Sequence, residues 1–306
     1  MNVLSLFDGM SGGQFALQKA GIPYDRYYSS EIDKYAIEIT QKNFPNTIQL
    51  GSVTDLYNWT LPKIDLLLGG SPCQGFSCAG KGLNWDDPRS ELFFWYVRAL
   101  RELKPRWWLF ENVASMRKDI RDAISYELGV EPIMIDSSLV SAQVRKRYYW
   151  TNIPNVTQPK DRGIFLKDII ENGHTEKDKS YAIDSSYYKG GALWYYLEKK
   201  RRQKIFKHPI FVIAQRGRYN KEGKVVQMFE TGFRGKTNTL TTVKKDNLVG
   251  YVDKDLVRNL TPLECERLQT VPEGATAGVS NTQRYKMLGN GYTVDVIAHI
   301  LKGIKN

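Results

Sequence analysis

A thiol set directly after a proline in a loop studded with glycine has the type and setting of a nucleophile: Cys73, in GGSPCQGFSCAGKG, residues 69–82. A cysteine thiolate attacks electrophilic carbon once its proton is gone, and glycine gives such a loop the freedom to close over a substrate. The commoner fate of a thiol outside a disulfide is burial as a small apolar side chain, so both readings stand at this point. Glu111 is a second such group. It lies near the end of RWWLFENV, behind Trp107, Trp108 and Phe110, and aromatic cover desolvates a carboxyl, raises its pKa and makes it a proton donor. The plain alternative is a surface or helix-capping carboxylate. The third is SAQVRKRYYW, residues 141–150, where period-two alternation puts Gln143, Arg145 and Arg147 on one strand face and Val144 and Lys146 on the other. Three long hydrogen-bonding side chains on one face call for an anionic or polar partner, unless the strand is a solvated edge. Three cysteines and three scattered histidines give neither a disulfide framework nor paired metal-ligand spacing. No metal is expected, and acid–base work falls to carboxylates, arginines and water.

These groups need a scaffold that brings distant segments to one edge. NVLSLF reads as a buried strand, DGMSGG as a glycine-rich turn and QFALQKAG as a helix stopped by Gly21. A second strand, RYYSSEI, ends at Glu31. Helix KYAIEITQKNF, strand KIDLLLGGSP, a helix in DPRSELFFWYVRALREL and strand PRWWLFENV follow. In that last helix Asp87 suits the cap, Pro88 suits the first turn, and Leu92, Trp95, Ala99 and Leu103 fall at helical spacing. The alternation predicts an α/β fold with a Rossmann-like, doubly wound, mostly parallel sheet whose ligands sit beyond the carboxyl ends of the strands. Cys73 then follows the third strand, with Glu111 beside it at the end of the next. An acidic residue at the tip of the second strand, Glu31, is placed to accept both hydroxyls of a ribose. The first loop has neither GxGxxG spacing nor a Walker lysine, so a nucleoside cofactor without phosphates fits better than NAD or ATP.

At 306 residues, 42% hydrophobic and 25% charged, the chain is long enough for a substantial core in one large or two modest domains. Its net charge of +11 is unevenly spread. Residues 154–255 carry 21 Lys and Arg against 12 Asp and Glu, a local +9, while the remainder carries 23 against 21. Such a bias favours a polyanion, nucleic acid ahead of an anionic membrane surface, although a run like EKKRRQKIFKH (198–208) reads most simply as a solvated helical face. After Pro154 the texture turns to charged segments with short β-like runs, PIFVIAQRGRY and KVVQMFETG. A smaller module is therefore expected over residues 154–255, inserted between a first part, 1–153, and a return segment, 256–306, that completes the first domain. No apolar run approaches a bilayer span and the start lacks the basic flank of a secretion signal, so a soluble intracellular protein with no membrane partner is expected.

Taken in order, FDGMSGG, SSEIDKYA, GGSPCQGFS, LFENV, QVRKR, RNLTPLECERLQ and LGNGYTVDVI make the chain resemble the cytosine-5 DNA methyltransferases. The stretches LFENVASM and VSAQVRKRYYWTNIP resemble the de novo branch of that family. The resemblance implies the class I methyltransferase fold, S-adenosylmethionine as methyl donor with S-adenosylhomocysteine as product, no metal, and double-stranded DNA as partner. A flipped-out cytosine would be methylated at C5 through a covalent Cys73 adduct at C6. The resemblance assigns Glu111 to N3 of the base, and Arg145 and Arg147 to holding the base and stabilising charge near O2. It assigns Phe7, Gly9 and Met10 to the methionine part of the cofactor, Glu31 to the ribose, Ile32 and Val53 to the adenine, Pro72 and Leu92 to further contacts, and Asn290 and Tyr292 to the far wall. Residues 154–255 become the target-recognition region, where KTNTLTT (236–242) resembles a Thr-Leu element and Arg216, Arg218, Lys244 and Lys245 are candidates for phosphate contact. The chain departs from the family's pattern at Ser52, where an aspartate is common, at GNGY, where GNSV is usual, and at LQTVP, where an aromatic usually precedes the proline. One branch of the family modifies transfer RNA, and a catalytically silent DNA-binding relative would keep the fold. The intact PCQ, ENV and QVRKR favour an active enzyme, and the large basic insertion favours duplex DNA. Its place would be the cytoplasm or nucleoid of a prokaryotic or virus-infected cell, or the nucleus of a eukaryotic one.

Overall fold

A computed structural model describes residues 1–72, 88–190, 196, 201–207, 212–219, 224–232, 248–249 and 257–304. The chain lays down β1 (Asn2–Leu6), α1 (Gly12–Ala20), β2 (Arg26–Ser30), α2 (Lys34–Asn43), β3 (Ile48–Gln49) and β4 (Leu66–Gly69). It continues with α3 (Pro88–Leu103), β5 (Trp107–Val113), α4 (Lys118–Leu128), β6 (Ile133–Asp136), β7 (Gln143–Val144) and β8 (Lys146–Thr151). The central sheet has the order β3-β2-β1-β4-β5-β8-β6. Neighbours are parallel from β3 to β5, and β8 runs antiparallel to both β5 and β6. The doubly wound, mostly parallel α/β sheet expected from the alternation is the one observed. Strand order reverses between β1 and β4, which puts a ligand crevice between the loops leaving those two strands.

Period-two alternation divides the core between the two faces of this sheet. Val3, Tyr27, Leu66, Leu68, Leu109 and Tyr149 bury on one side, with Phe15 and Leu17 of α1 and Ile39 of α2. Leu4, Leu6, Tyr28, Leu67, Trp108, Phe110 and Trp150 bury on the other, with Phe93 and Tyr96 of α3 and Ile120 and Ile124 of α4. A strand covered on both faces needs an unbroken apolar run, which LLLG and WWLF supply. Helix ends follow local chemistry. Gly21 stops α1 in the left-handed conformation at φ 69°, and Asp33 caps α2 by accepting from the Tyr35 N–H at 3.0 Å. Pro88 opens α3, with Trp95 and Ala99 buried as expected; the proposed cap, Asp87, lies outside the described residues.

Beyond β8 come α5 (Leu166–Ile169), β9 (Ser180–Tyr181), β10 (Lys204–Phe206), β11 (Val212–Tyr219), β12 (Val225–Gly232), β13 (Leu248–Val249) and β14 (Val257–Asn259). Helices α6 (Pro262–Leu268), α7 (Asn281–Asn290) and α8 (Val294–Leu301) close the chain. Strand β11 is central to a small antiparallel sheet with β12 and β13, whereas β9 pairs with β7 and β10 pairs with β14. Leu166, Ile169, Ile183, Tyr187 and Ile205 join the same buried cluster as Val3 and Phe15, and Ile297 and Ile300 of α8 complete it. The basic run read as a solvated helical face instead supplies β10, with Gln203, Lys204, Ile205 and Phe206 buried. The physical reason is that Ile205 and Phe206 are apolar and find both a strand partner and a core. Helix α6 starts with a reciprocal capping box: Thr261 Oγ1 accepts from the Glu264 N–H at 3.2 Å and the Glu264 carboxylate from the Thr261 N–H at 2.7 Å. Among the described residues no helix is long and apolar enough to cross a membrane.

Candidate active site

The chain leaves β1 through three residues in the left-handed region, Phe7 (φ 57°), Gly9 (58°) and Ser11 (59°), a conformation that side chains seldom adopt without support. The support comes from Asp8, buried beneath the loop, which accepts from Tyr27 Oη at 2.8 Å and from Ser11 Oγ. Burial raises the Asp8 pKa above its ordinary 3.8 against the opposing pull of those hydroxyls. Glu31 closes the loop from the other side. One of its oxygens accepts from the Gly9 N–H at 2.8 Å, and the other from the Ile32 and Asp33 N–H groups, each at 2.8 Å. Three of a carboxylate's roughly four lone-pair sites are thus used to fix its orientation, and acceptor capacity remains for a ligand hydroxyl.

Next to Glu31 the Ile32 side chain is 76% exposed, an apolar surface of the kind a flat ring covers. Val53, buried, begins a 3-10 turn capped by Ser52, which accepts from the Thr54 N–H at 3.3 Å. Serine does the capping that an aspartate would do, so the turn that begins at Val53 keeps its shape without a carboxylate. Met10 is buried with its Cε 3.5 Å from where a Cβ on Gly291 would lie; Phe7 and Leu92 are half-buried, and Pro72 and Asn290 are exposed. An acidic acceptor, an apolar wall and a glycine loop with no basic side chain suit a nucleoside with a zwitterionic tail better than one with phosphates.

Cys73 lies outside the described residues, as does Cys78. The backbone just before it is held from β5: the buried Asn112 donates from Nδ2 to the Ser71 carbonyl at 3.1 Å, and its Oδ1 accepts from the Val113 N–H at 2.8 Å. The parallel register Gly69↔Phe110 sets Gly70 beside Glu111, and a Cβ on Gly70 would sit 3.1 Å from Glu111 Oε2 and 3.2 Å from its carbonyl oxygen. From the other side the antiparallel register Val113↔Arg147 brings Arg147 Nε to 2.9 Å from Glu111 Oε1, with the two side chains 16% and 14% exposed. Burial raises the Glu111 pKa above its ordinary 4.5, and Arg147, then Arg145, pull against it.

The alternation expected for QVRKR is observed, with Gln143 and Arg145 turned inward and Val144 and Lys146 exposed. Their partners are not where an exposed site would put them. Arg145, 3% exposed, donates from Nη1 to the Ile183 carbonyl at 2.7 Å and from Nη2 to the Gly289 and Gly291 carbonyls at 3.0 and 3.1 Å. Gln143 Nε2 donates to the Leu268 carbonyl at 2.7 Å and to Gln269 Oε1 at 2.8 Å. Arg145 therefore pins the closing segment to β8, and at Gly289 only glycine fits, since a Cβ there would fall 2.2 Å from the carbonyl carbon of Asp184. Tyr292 follows directly. Its Cδ2 lies 3.2 Å from where a Cβ on Gly12 would be, and its Oη 3.4 Å from the equivalent point on Gly70, so its ring spans from the first glycine loop to Glu111.

The sequence reading passed over Asn112, Asp8 and Tyr149, all buried around these groups. The available signal was a polar side chain at an inward strand or turn position, which must find an internal partner.

A family model described as C-5 cytosine-specific DNA methylase matches residues 1–306. Among characterised sequences, the orphan methyltransferase M.SPRI of Bacillus phage SPR is 26% identical over 99% of this chain and 97% of its own length. The type II methyltransferase M1.ScrFI of Lactococcus lactis subsp. cremoris is 30% identical over 96% of this chain and 75% of its own. Among solved structures, the Entamoeba histolytica methyltransferase EhMeth superposes with a TM-score of 0.66 at 16% identity, covering 99% of this chain and 97% of that one. A Spodoptera frugiperda DNMT2 variant superposes with a TM-score of 0.62 at 20% identity, covering 99% and 98%. These structural likenesses are likenesses of fold.

Proposed function

The chain belongs to the C-5 cytosine-specific DNA methylase family, a family of S-adenosylmethionine-dependent methyltransferases, and from that premise we propose that it methylates C5 of a cytosine swung out of double-stranded DNA, with Cys73 as transient nucleophile. The observation that carries this reading is the Glu111–Arg147 pair at 2.9 Å, set by strand register beside the backbone that leads into Cys73.

C5 of cytosine is a poor nucleophile. The Cys73 thiolate adds to C6, and the displaced π electrons make C5 an enamine carbon able to take a methyl group. That addition needs a proton at N3, which Glu111, its pKa raised by burial, is placed to donate. Arg147 directs its remaining N–H groups to the developing charge at O2. Arg145 acts one step back, fixing the Gly289–Gly291 segment that floors the cofactor side. Bound S-adenosylmethionine supplies an electrophilic methyl group. Glu31 would hold its ribose hydroxyls, Ile32 and Val53 would flank the adenine, and Phe7, Gly9, Met10, Pro72, Leu92, Asn290 and Tyr292 would enclose the remainder. Return of the N3 proton to Glu111 and loss of the C5 proton to solvent base, with departure of the Cys73 sulfur from C6, restore the aromatic ring, the carboxyl and the thiolate.

A base stacked in a duplex is out of reach, so the target must be extruded. Residues 154–255, with their local +9, are the proposed DNA-reading part. Arg216 and Arg218 stand in β11 opposite Met228 and Val226 of β12 as proposed phosphate contacts, while Lys244, Lys245 and KTNTLTT lie outside the described residues. The test offers tritiated S-adenosylmethionine with unmethylated plasmid DNA or with transfer RNA. Label is expected in DNA as 5-methylcytosine, with DNA containing 5-fluorocytosine trapping the wild type covalently. Cys73→Ser should form no adduct and lose at least roughly 10³-fold in rate. Label in RNA alone, or an undiminished serine variant, would overturn the reading.

A further inference from the structure

Tyr292 stands where the family pattern has an aliphatic residue, and its phenol is driven between the two halves of the site. The position over Gly70 lies 3.4 Å from Tyr292 Oη and 3.1 Å from Glu111 Oε2. A glycine at 70 thus lets the phenol hydroxyl and the Glu111 carboxyl both lie against one α-carbon, where any side chain would crowd the two of them. A second observation lies beside it: Ser71 Oγ and Tyr96 Oη are both buried with no hydrogen-bond partner among the described residues, and the Tyr96 ring edge is 2.7 Å from where a Cβ on Gly69 would be. Buried hydroxyls are almost always satisfied, commonly by ordered water with two to four polar neighbours. Resting on the reading of Glu111 as the proton donor to the base, we propose that Tyr292 is a positioning residue, its hydroxyl set against the Glu111 carboxyl across the bare α-carbon of Gly70, so that the carboxyl stays aimed when Arg147 engages the base.

The groups facing Glu111 are Arg147 and Tyr149 from β8, Arg145 from the break before it, and Tyr292 from the segment after α7; Asp8 and Tyr96 flank Tyr292 in turn. Tyr292 keeps its own proton, since burial, followed by the nearby Glu111 and Asp8 carboxyls, drives the phenol well above its ordinary 10.0. A neutral hydroxyl linked to a carboxyl favours the ionised form. Without it, burial holds the Glu111 proton to higher pH.

The experiment is single-turnover methyl transfer to unmethylated plasmid DNA across pH for the wild type, Tyr292→Phe and Tyr292→Val. In both variants the alkaline fall in rate should move upward by about half to one pH unit, the size expected for one hydrogen bond to a carboxyl. Tyr292→Phe keeps the ring, so its affinity for S-adenosylhomocysteine by calorimetry should stay within roughly twofold, whereas Tyr292→Val, which gives up the contact over Gly12, should bind it more weakly. A Tyr292→Phe profile that superimposes on that of the wild type, or shifts of opposite sign in the two variants, would overturn the proposal. Transfer that survives Cys73→Ser would instead overturn the underlying reading, and this proposal with it.

Discussion

Glu264 and Glu266 on α6 and Glu111 near the end of β5 are all carboxylates withdrawn from solvent, yet they are supplied with donors very differently. Glu264 accepts from the Thr261 and Glu171 N–H groups at 2.7 and 2.8 Å and from two nitrogens of Arg258 at 2.8 and 2.7 Å. Glu266 accepts from the Gly274 and Thr276 N–H groups at 2.7 and 2.9 Å, from the Thr276 hydroxyl and from Arg284 at 3.0 Å. Against these, Glu111 has the ion pair with Arg147, and its second oxygen faces Gly70. A carboxylate saturated by backbone and arginine is a tie between segments and has nothing left to give. One left sparsely satisfied in a low-dielectric setting has its pKa pushed upward, towards the range in which a proton is held and delivered.

The largest expected separation between the two regions is in activity. Glu111→Gln is isosteric and leaves Arg147 its bond to the Lys146 carbonyl at 2.9 Å. Methyl transfer should fall by roughly 10²–10⁴-fold, the usual worth of a general acid, while the urea midpoint hardly moves. A variant that transfers normally would erase the contrast.

Glu266→Ala should do the reverse. It strands Arg284 and the Gly274 and Thr276 donors in a buried place, and denaturant unfolding should show a loss of about 3–5 kcal/mol. A loss well below that would mean solvent reaches the cluster. The smallest effect is a linkage. Because burial raises the folded pKa of Glu111 above 4.5, its contribution to stability is fully present below pH 4.5 and is lost as pH rises through the raised value. The stability of the wild type relative to Glu111→Gln should therefore decline as pH increases from 4.5, as followed by urea titrations at several pH values. A rise instead would mean that Arg147 outweighs burial.

The sheet was legible because its strands are buried on both faces and its helices carry their own stops, Gly21 for α1 and Pro88 for α3. Glu31 and Glu111 were legible because each sits at a strand tip, where an acidic residue after an apolar run has no packing reason to be. Arg145 and Gln143 were legible only as inward-facing side chains. Their acceptors, the carbonyls of Ile183, Leu268, Gly289 and Gly291, come from segments that local pattern does not bring together. Strand β10 was hidden for the same reason, its partner β14 lying on the far side of the basic stretch. Asn112 was overlooked beside a more conspicuous neighbour, although a buried amide in a strand always implies an acceptor to be found.

The clamp made by Arg145 also bears on how such chains can be recombined. One guanidinium bonds to carbonyls of residues 183, 289 and 291, and Lys179 Nζ reaches the carbonyls of Ser138, Ser141 and Ile164 at 2.6 to 3.1 Å. A chimera that borrows its basic inserted portion from a relative would have to keep the stretch around 164–190 with the host, because that seam is stitched to the sheet by side chains that a donor sequence has no reason to match.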